Sequence, residues 1–255
     1  MTSAPTSRQI FHGIWTMTGA MLRQASLLIG GWLILLVAME AAKIAYPSDE
    51  EYHAALRVVL DVVVGILQAP IEFALFRLLI LAEKPTGHGF DSGSQRFRNF
   101  LRWTLIFQIM GAPTSFFLHY GSDVLGTFGI FAFGVLLAIE LYIVFRLALL
   151  LPALAAGGEG VTLRDAWADS RGRLWWIIKI VIGALLPILA IYIPAQYAFG
   201  YSGVEDGVAD LRIWRGWVLA LFEATMDLVM ALLLLAATAL AFLWVGNRVK
   251  QAHES

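Results

Sequence analysis

Cysteine is absent from the chain. Disulfides, thiolate chemistry, cysteine-type zinc or iron–sulfur sites and palmitoylation are excluded with it. Charge is scarce too: 15% of the 255 residues are charged, against about 25% in soluble domains. The formal balance is -1, which argues against a nucleic-acid partner. The histidines (His12, His53, His88, His119 and His253) are scattered and form no H-E-x-x-H or other ligand pair. No G-x-S-x-G elbow or phosphate-binding loop occurs. The expectation is a protein without catalytic residues, metal site or cofactor, and hence not an enzyme.

What the chain has instead is apolar length. Hydrophobic residues make up 59% of it, more than the roughly 45–50% of soluble domains. One soluble core of this size cannot hide that excess, so lipid serves as solvent for much of it. Six apolar runs follow, at about 25–46, 54–82, 101–118, 124–155, 174–199 and 213–245. Each approaches the roughly 20 helical residues that cross about 30 Å of hydrocarbon. The first run begins late and carries Glu40 near its end, so it reads as a retained span rather than a secretory signal. The fold class expected is all-α integral membrane. It is a six-helix bundle, one transmembrane domain over 1–255, built as three hairpins with amphipathic interfacial lead helices.

The stretch 161–193 displays the pattern best. Thr162 and Asp165 form a capping box, with Asp in place of the usual Glu or Gln. Leu163, Ala166, Trp167 and Ser170 share one helical face. A basic turn (Arg171, Gly172, Arg173) and the pair Trp175-Trp176 then lead into an apolar run. Such a segment lies on a membrane surface and turns into it. Weaker versions precede the first span, with Ile10, Ile14, Met17 and Met21 at helical spacing, and the third, with Arg96, Arg98 and Arg102 beside Phe97, Phe100 and Leu101. Trp103, Trp167, Arg171, Arg173, Trp175 and Trp176 are the expected interface residues. Arg8, Arg23, Lys84, Arg96, Arg98, Arg102, Arg164, Arg171, Arg173, Arg248 and Lys250 fall on one side, which the positive-inside rule assigns to the cytoplasm with both termini.

A weak repeat links the ends of the second and fourth runs. Phe73-Ala74-Leu75-Phe76-Arg77 parallels Ile143-Val144-Phe145-Arg146. Chance similarity between leucine-rich helices explains this equally well.

Ala166, Trp167, Ser170, Gly172, Arg173 and Trp175 fit an A-W-x-x-S-x-G-R-x-W pattern. In this the chain resembles the bacterial six-span inner-membrane proteins of the YciC type and the membrane domain attached to some glycerophosphodiesterases. The resemblance implies the architecture and an inner-membrane location. It implies no catalytic residues, and this chain carries no phosphodiesterase domain.

Charged groups inside the runs each cost at least about 2.5–3.5 kcal/mol at the bilayer centre on insertion scales. Asp61 lies one turn after Arg57, and Lys43 is three residues from Glu40, so local pairs explain both. Arg77 and Arg146 can snorkel to the nearer interface. Glu72, Glu140, Glu223 and Asp227 remain as candidate substrate- or ion-binding acids near mid-membrane. Three unpaired central carboxylates would cost about 9 kcal/mol, comparable with a whole domain's stability. They must be protonated, paired or facing water. Pro70, Gly111-Ala112-Pro113 and Pro187 would break helices at a similar depth, as transporter sites often require. The competing expectation is a polar network that fixes helix packing. Two roles follow. The first is a non-catalytic membrane protein with a membrane-support or partner-binding role, in contact with lipid and open to a protein partner or a second copy. The other is a small transporter or proton-linked carrier built on the four acids.

Overall fold

The computed structural model describes residues 6–45, 51–84, 94–117, 122–157, 161–204 and 214–246, and the side chains of all of these except 51–54, 122–125 and 196–204. The acidic turn after the first run, the Gly-rich segment after Lys84, His119 and the polar tail lie outside these residues. Among the described residues the chain is helical: α1 Ser7–Gln24, α2 Ser26–Ala45, α3 Glu51–Leu81, α4 Gln95–Phe116, α5 Ser122–Leu147, α6 Leu150–Ala155, α7 Leu163–Ser170, α8 Leu174–Val204 and α9 Trp214–Val245.

Five stretches are long and apolar enough to cross a membrane: Ser26–Ala45, Ala55–Leu81, Gly126–Ala155, Leu174–Ala195 and Trp214–Val245. The chain is therefore an all-α bundle of membrane-spanning type. The remaining expected span, the third at 101–118, falls on α4. It has the length, at 22 residues, but arginines in its first turns and polar groups further on lower its hydropathy.

The expected helix breaks need correction. α3 runs through Pro70, α4 through Pro113, and α8 through Pro187 and Pro194. A membrane helix has no water to take up backbone groups freed by a break, so neighbouring turns absorb the proline. The interruptions lie elsewhere. Gly126 takes φ 53 inside α5, and a turn at 148–149 separates α5 from α6.

The three expected hairpin pairs are in contact (α2 with α3, α4 with α5 and α6, α8 with α9), and wider interfaces join them. The most extensive interfaces are α2 on α9 and α3 on α4, followed by α8 on α9. The first span thus closes on the last, and α9 becomes the central helix, with 61% of its apolar window buried. Its small residues explain this: Ala220, Ala224, Ala236, Ala237, Ala239 and Ala241 are buried and let neighbours approach closely. α5 is the opposite case, with only 6% of its window buried.

The lead helices are present. Thr6 and Gln9 cap α1 reciprocally, and Ile14, Thr18 and Met21 are its buried face. Phe11, Trp15 and Leu22 stay exposed, and Leu240 of α9 packs against Gly13. The Thr162–Asp165 box caps α7, with Thr162 N–H donating to Asp165 Oδ2 at 3.0 Å.

Candidate functional site: a carboxylate-rich cluster between α2, α3 and α9

Lys43 is the centre. Near the end of α2, its ammonium pairs with Glu40 at 2.9 Å on its own helix and with Asp61 of α3 at 3.0 Å. Asp61 therefore has a partner on another helix, beyond the local Arg57 expected from sequence. A helix ending beside another presents its last turn sideways, so Lys43 reaches across while Arg57 donates to the Lys43 backbone carbonyl at 2.7 Å. Ser115 of α4 donates to the other Asp61 oxygen at 3.0 Å. Asp227 of α9 lies within electrostatic reach of Glu40, Lys43, Asp61 and Glu223. Tyr192 of α8 donates its hydroxyl to Glu223 at 2.8 Å and stacks on Phe222.

The four acids singled out from sequence therefore do not converge. Glu223 and Asp227 join the Lys43 cluster. Glu140 lies on α5 with Oε1 3.0 Å from where a Cβ on Gly111 would stand. Its Oε2 is buried with no hydrogen-bond partner. Glu72 sits on α3, eleven residues past Asp61, in the stretch that packs on the start of α4. Glu40, Lys43 and Asp61, set aside in sequence as locally paired, turn out to organise the site. Their signal was the i, i+3 Glu–Lys pair, but which other helix closes on the end of α2 is not written in α2.

The Arg-rich end is built differently. Arg77 pairs with Glu83, donates to the Ala155 carbonyl at 3.3 Å and lies over the Phe73 ring at 5.6 Å. Arg146 sits over Tyr142 at 5.4 Å and Trp167 at 5.1 Å. Rather than snorkelling freely, both arginines fasten helices together. The weak repeat has a structural echo here, because each arginine caps the aromatic ring one turn before it. Lys179 does the same to Trp175 at 5.8 Å.

The interface residues divide in two. Trp175 is 68% exposed and Arg171 is exposed, as lipid-facing groups should be. Trp103 packs beside Phe107, and Trp176 beside Trp244. Trp167 holds Arg146, and Arg173 donates to the Val245 carbonyl at the end of α9 at 2.9 Å. The A-W-x-x-S-x-G-R-x-W residues then have separate tasks. Ala166 and Ser170 are fully buried, Gly172 makes the turn at φ 79, and Arg173 ties the start of α8 to α9. A side chain at Gly172 would be strained.

No family model, curated protein or solved structure matches the chain.

Among the described residues no group of three or more metal-ligating side chains is assembled. What the cluster offers is acid–base and cation chemistry inside the membrane. Glu40 and Asp61 hold Lys43, Asp227 lies within electrostatic reach of all three, and Glu223 joins through Asp227 and Tyr192.

Proposed function

We propose that the chain is a non-catalytic, multi-pass protein of the bacterial inner membrane that moves protons, as a small proton-linked carrier does. The imbalance of charge at Lys43 carries this reading. A purely structural network in lipid matches its charges, because each uncompensated one costs at least about 2.5–3.5 kcal/mol. Here, among the described residues, Asp227 makes no hydrogen bond or ion pair, while Lys43 within its electrostatic reach is engaged by Glu40 and Asp61. Asp227 is thus the acid of the cluster left open to exchange a proton. The Arg-rich end faces the cytoplasm together with both termini. The YciC-type resemblance belongs to the same proposal, as support for location and architecture.

Reconstituted vesicles with a trapped pH indicator test this under a potassium diffusion potential. The expected result is acidification faster than in protein-free vesicles, abolished by Asp227→Asn. Flux equal to protein-free vesicles overturns the reading.

A membrane-support or partner-binding role is the second reading, favoured by α5. Its outward residues Phe128, Ile130 and Phe131 are all more than half exposed, and a second protein could cover them as readily as lipid. Cysteine crosslinking from position 131 would decide: adducts with protein support this role, and labelling by lipid probes alone counts against it.

A further inference from the structure

One face of α5 stays outside the bundle. Phe128, Phe131, Val135, Ile139 and Tyr142 are exposed, and Arg146 follows them at the end of the helix. They stand at i, i+3, i+7, i+11, i+14 and i+18, which keeps one side of a helix. The stripe is apolar until it reaches a phenol and then a guanidinium. From Val135 to Arg146 it runs about 16 Å by helical rise, close to half of the roughly 30 Å of hydrocarbon. That is the depth of one leaflet's acyl chains.

At the polar end α7 packs on α5. Tyr142 and Trp167 meet edge to face with ring centroids 5.9 Å apart, and Arg146 lies over both. The corner is rich in donors and poor in acceptors. Arg146 Nε donates to the Tyr142 hydroxyl oxygen at 3.2 Å. Among the described residues its Nη1 is enclosed without a partner, and its Nη2, also unbonded, is not enclosed. The Tyr142 hydroxyl proton and the Trp167 indole N–H, a donor only, have no acceptor among them either. Arg77, the counterpart of Arg146 in the weak repeat, has both Glu83 and the Ala155 carbonyl. Arg164 and Arg171, exposed on α7 and directly after it, add positive charge at the same end. Of the acids of α7, Asp165 is engaged in its cap and Asp169 is buried.

We infer that the α5–α7 corner binds one anionic phospholipid, its acyl chain along the α5 stripe and its phosphate at the Arg146 guanidinium. The anionic oxygens of a phosphate diester only accept hydrogen bonds, which is what a cluster of unmet donors lacks. A guanidinium fork fits a phosphate better than a point charge does. Tyr and Trp suit headgroup depth, since each joins an apolar body to a polar tip. The arginines of α7 draw anionic headgroups to the same place. A free phosphate would leave the stripe bare. A second protein would have to bring a carboxylate to Arg146 out of water, and desolvating it is costly. A lipid meets both ends of the stripe at once, and the site does not depend on proton uptake at Asp227.

Native mass spectrometry of the full chain tests this, with phosphatidylglycerol and phosphatidylcholine of identical acyl chains titrated in turn. One phosphatidylglycerol should be held at least about tenfold more tightly than phosphatidylcholine, the scale of one hydrogen bond to a charged group. Arg146→Gln should erase that preference. Arg146→Lys should keep part of it, because an ammonium supplies charge without the fork. Lys179→Gln, which removes the other ring-held cation of this end, should leave it unchanged. Equal retention of the two lipids by the unmodified chain marks ordinary surrounding lipid and overturns the site. So does a preference that survives in both Arg146 variants. Displacement of the lipid by excess inorganic phosphate would make this a headgroup site without a chain, and a dimer formed in place of lipid binding would give the face to a second copy; either overturns the proposal. None of these readouts involves proton flux, so the lipid site and the carrier reading fail separately.

Discussion

The two ends of the bundle treat charge in opposite ways. At the Arg-rich end, cations hold structure together: Arg77 on Glu83 and Phe73, Arg146 on Tyr142 and Trp167 (with Nη1 unbonded), Arg173 on the last carbonyl of α9, Lys179 on Trp175. At the other end, Lys43 holds Glu40 and Asp61, and among the described residues Asp227 makes no hydrogen bond or ion pair though it lies within their electrostatic reach. Aromatic rings and helix C-termini satisfy a cation with no further charge. A carboxylate in lipid has no such neutral refuge and needs a cation, a donor or a proton. The contrast separates an end that fastens helices from an end with capacity for chemistry.

Substitutions can break that contrast. The largest effect is expected from Lys43→Met, which strands Glu40 and Asp61. Removing one partner of a buried pair costs about 3–5 kcal/mol, and the 22% exposure of Lys43 places the loss near the lower bound. The sign with pH is fixed: stranded carboxylates are relieved by protonation, so the deficit should shrink as pH falls. Thermal unfolding in detergent at neutral and acidic pH measures this. A deficit that grows in acid would contradict it.

Arg173→Ala comes next. It frees the Val245 carbonyl and unties α8 from α9, at about 1.5–3 kcal/mol for a charged hydrogen bond. Trp167→Leu removes one face of the Arg146 clamp and should cost about 1 kcal/mol. Thr162→Ala, which deletes the α7 cap, should cost a similar amount of about 1 kcal/mol. Melting temperature should fall most for Arg173→Ala and by a smaller, similar amount for the other two. Proton flux per folded molecule should not change in any of them, because none touches the carboxylate cluster.

How much of this was legible in the sequence follows from which interactions are local. The α7 capping box, the amphipathic α1 and five of the six apolar runs are set within a few turns and formed where the pattern placed them. The proline breaks failed for a local reason too, since a helix in lipid keeps its backbone bonded through a proline. The site was legible only in part. Glu223 and Asp227 stand out as intramembrane acids one turn apart, and both belong to the cluster. Lys43 looked spoken for by Glu40; its second partner, Asp61, depends on how α2 and α3 meet. Glu140 and Glu72 looked equivalent to the others by depth, yet helix rotation sends them to different neighbours. Rotation about the helix axis is set by packing against α9 and α4, and an apolar run matches many packings equally well.

A side-by-side comparison of Asp227→Asn and Trp167→Leu in the same vesicle preparation tests the division of labour most directly. The predicted result is crossed: Asp227→Asn keeps its melting temperature and loses proton flux, whereas Trp167→Leu loses melting temperature and keeps flux per folded molecule. Flux that merely follows stability in both, or that survives Asp227→Asn, would contradict the account.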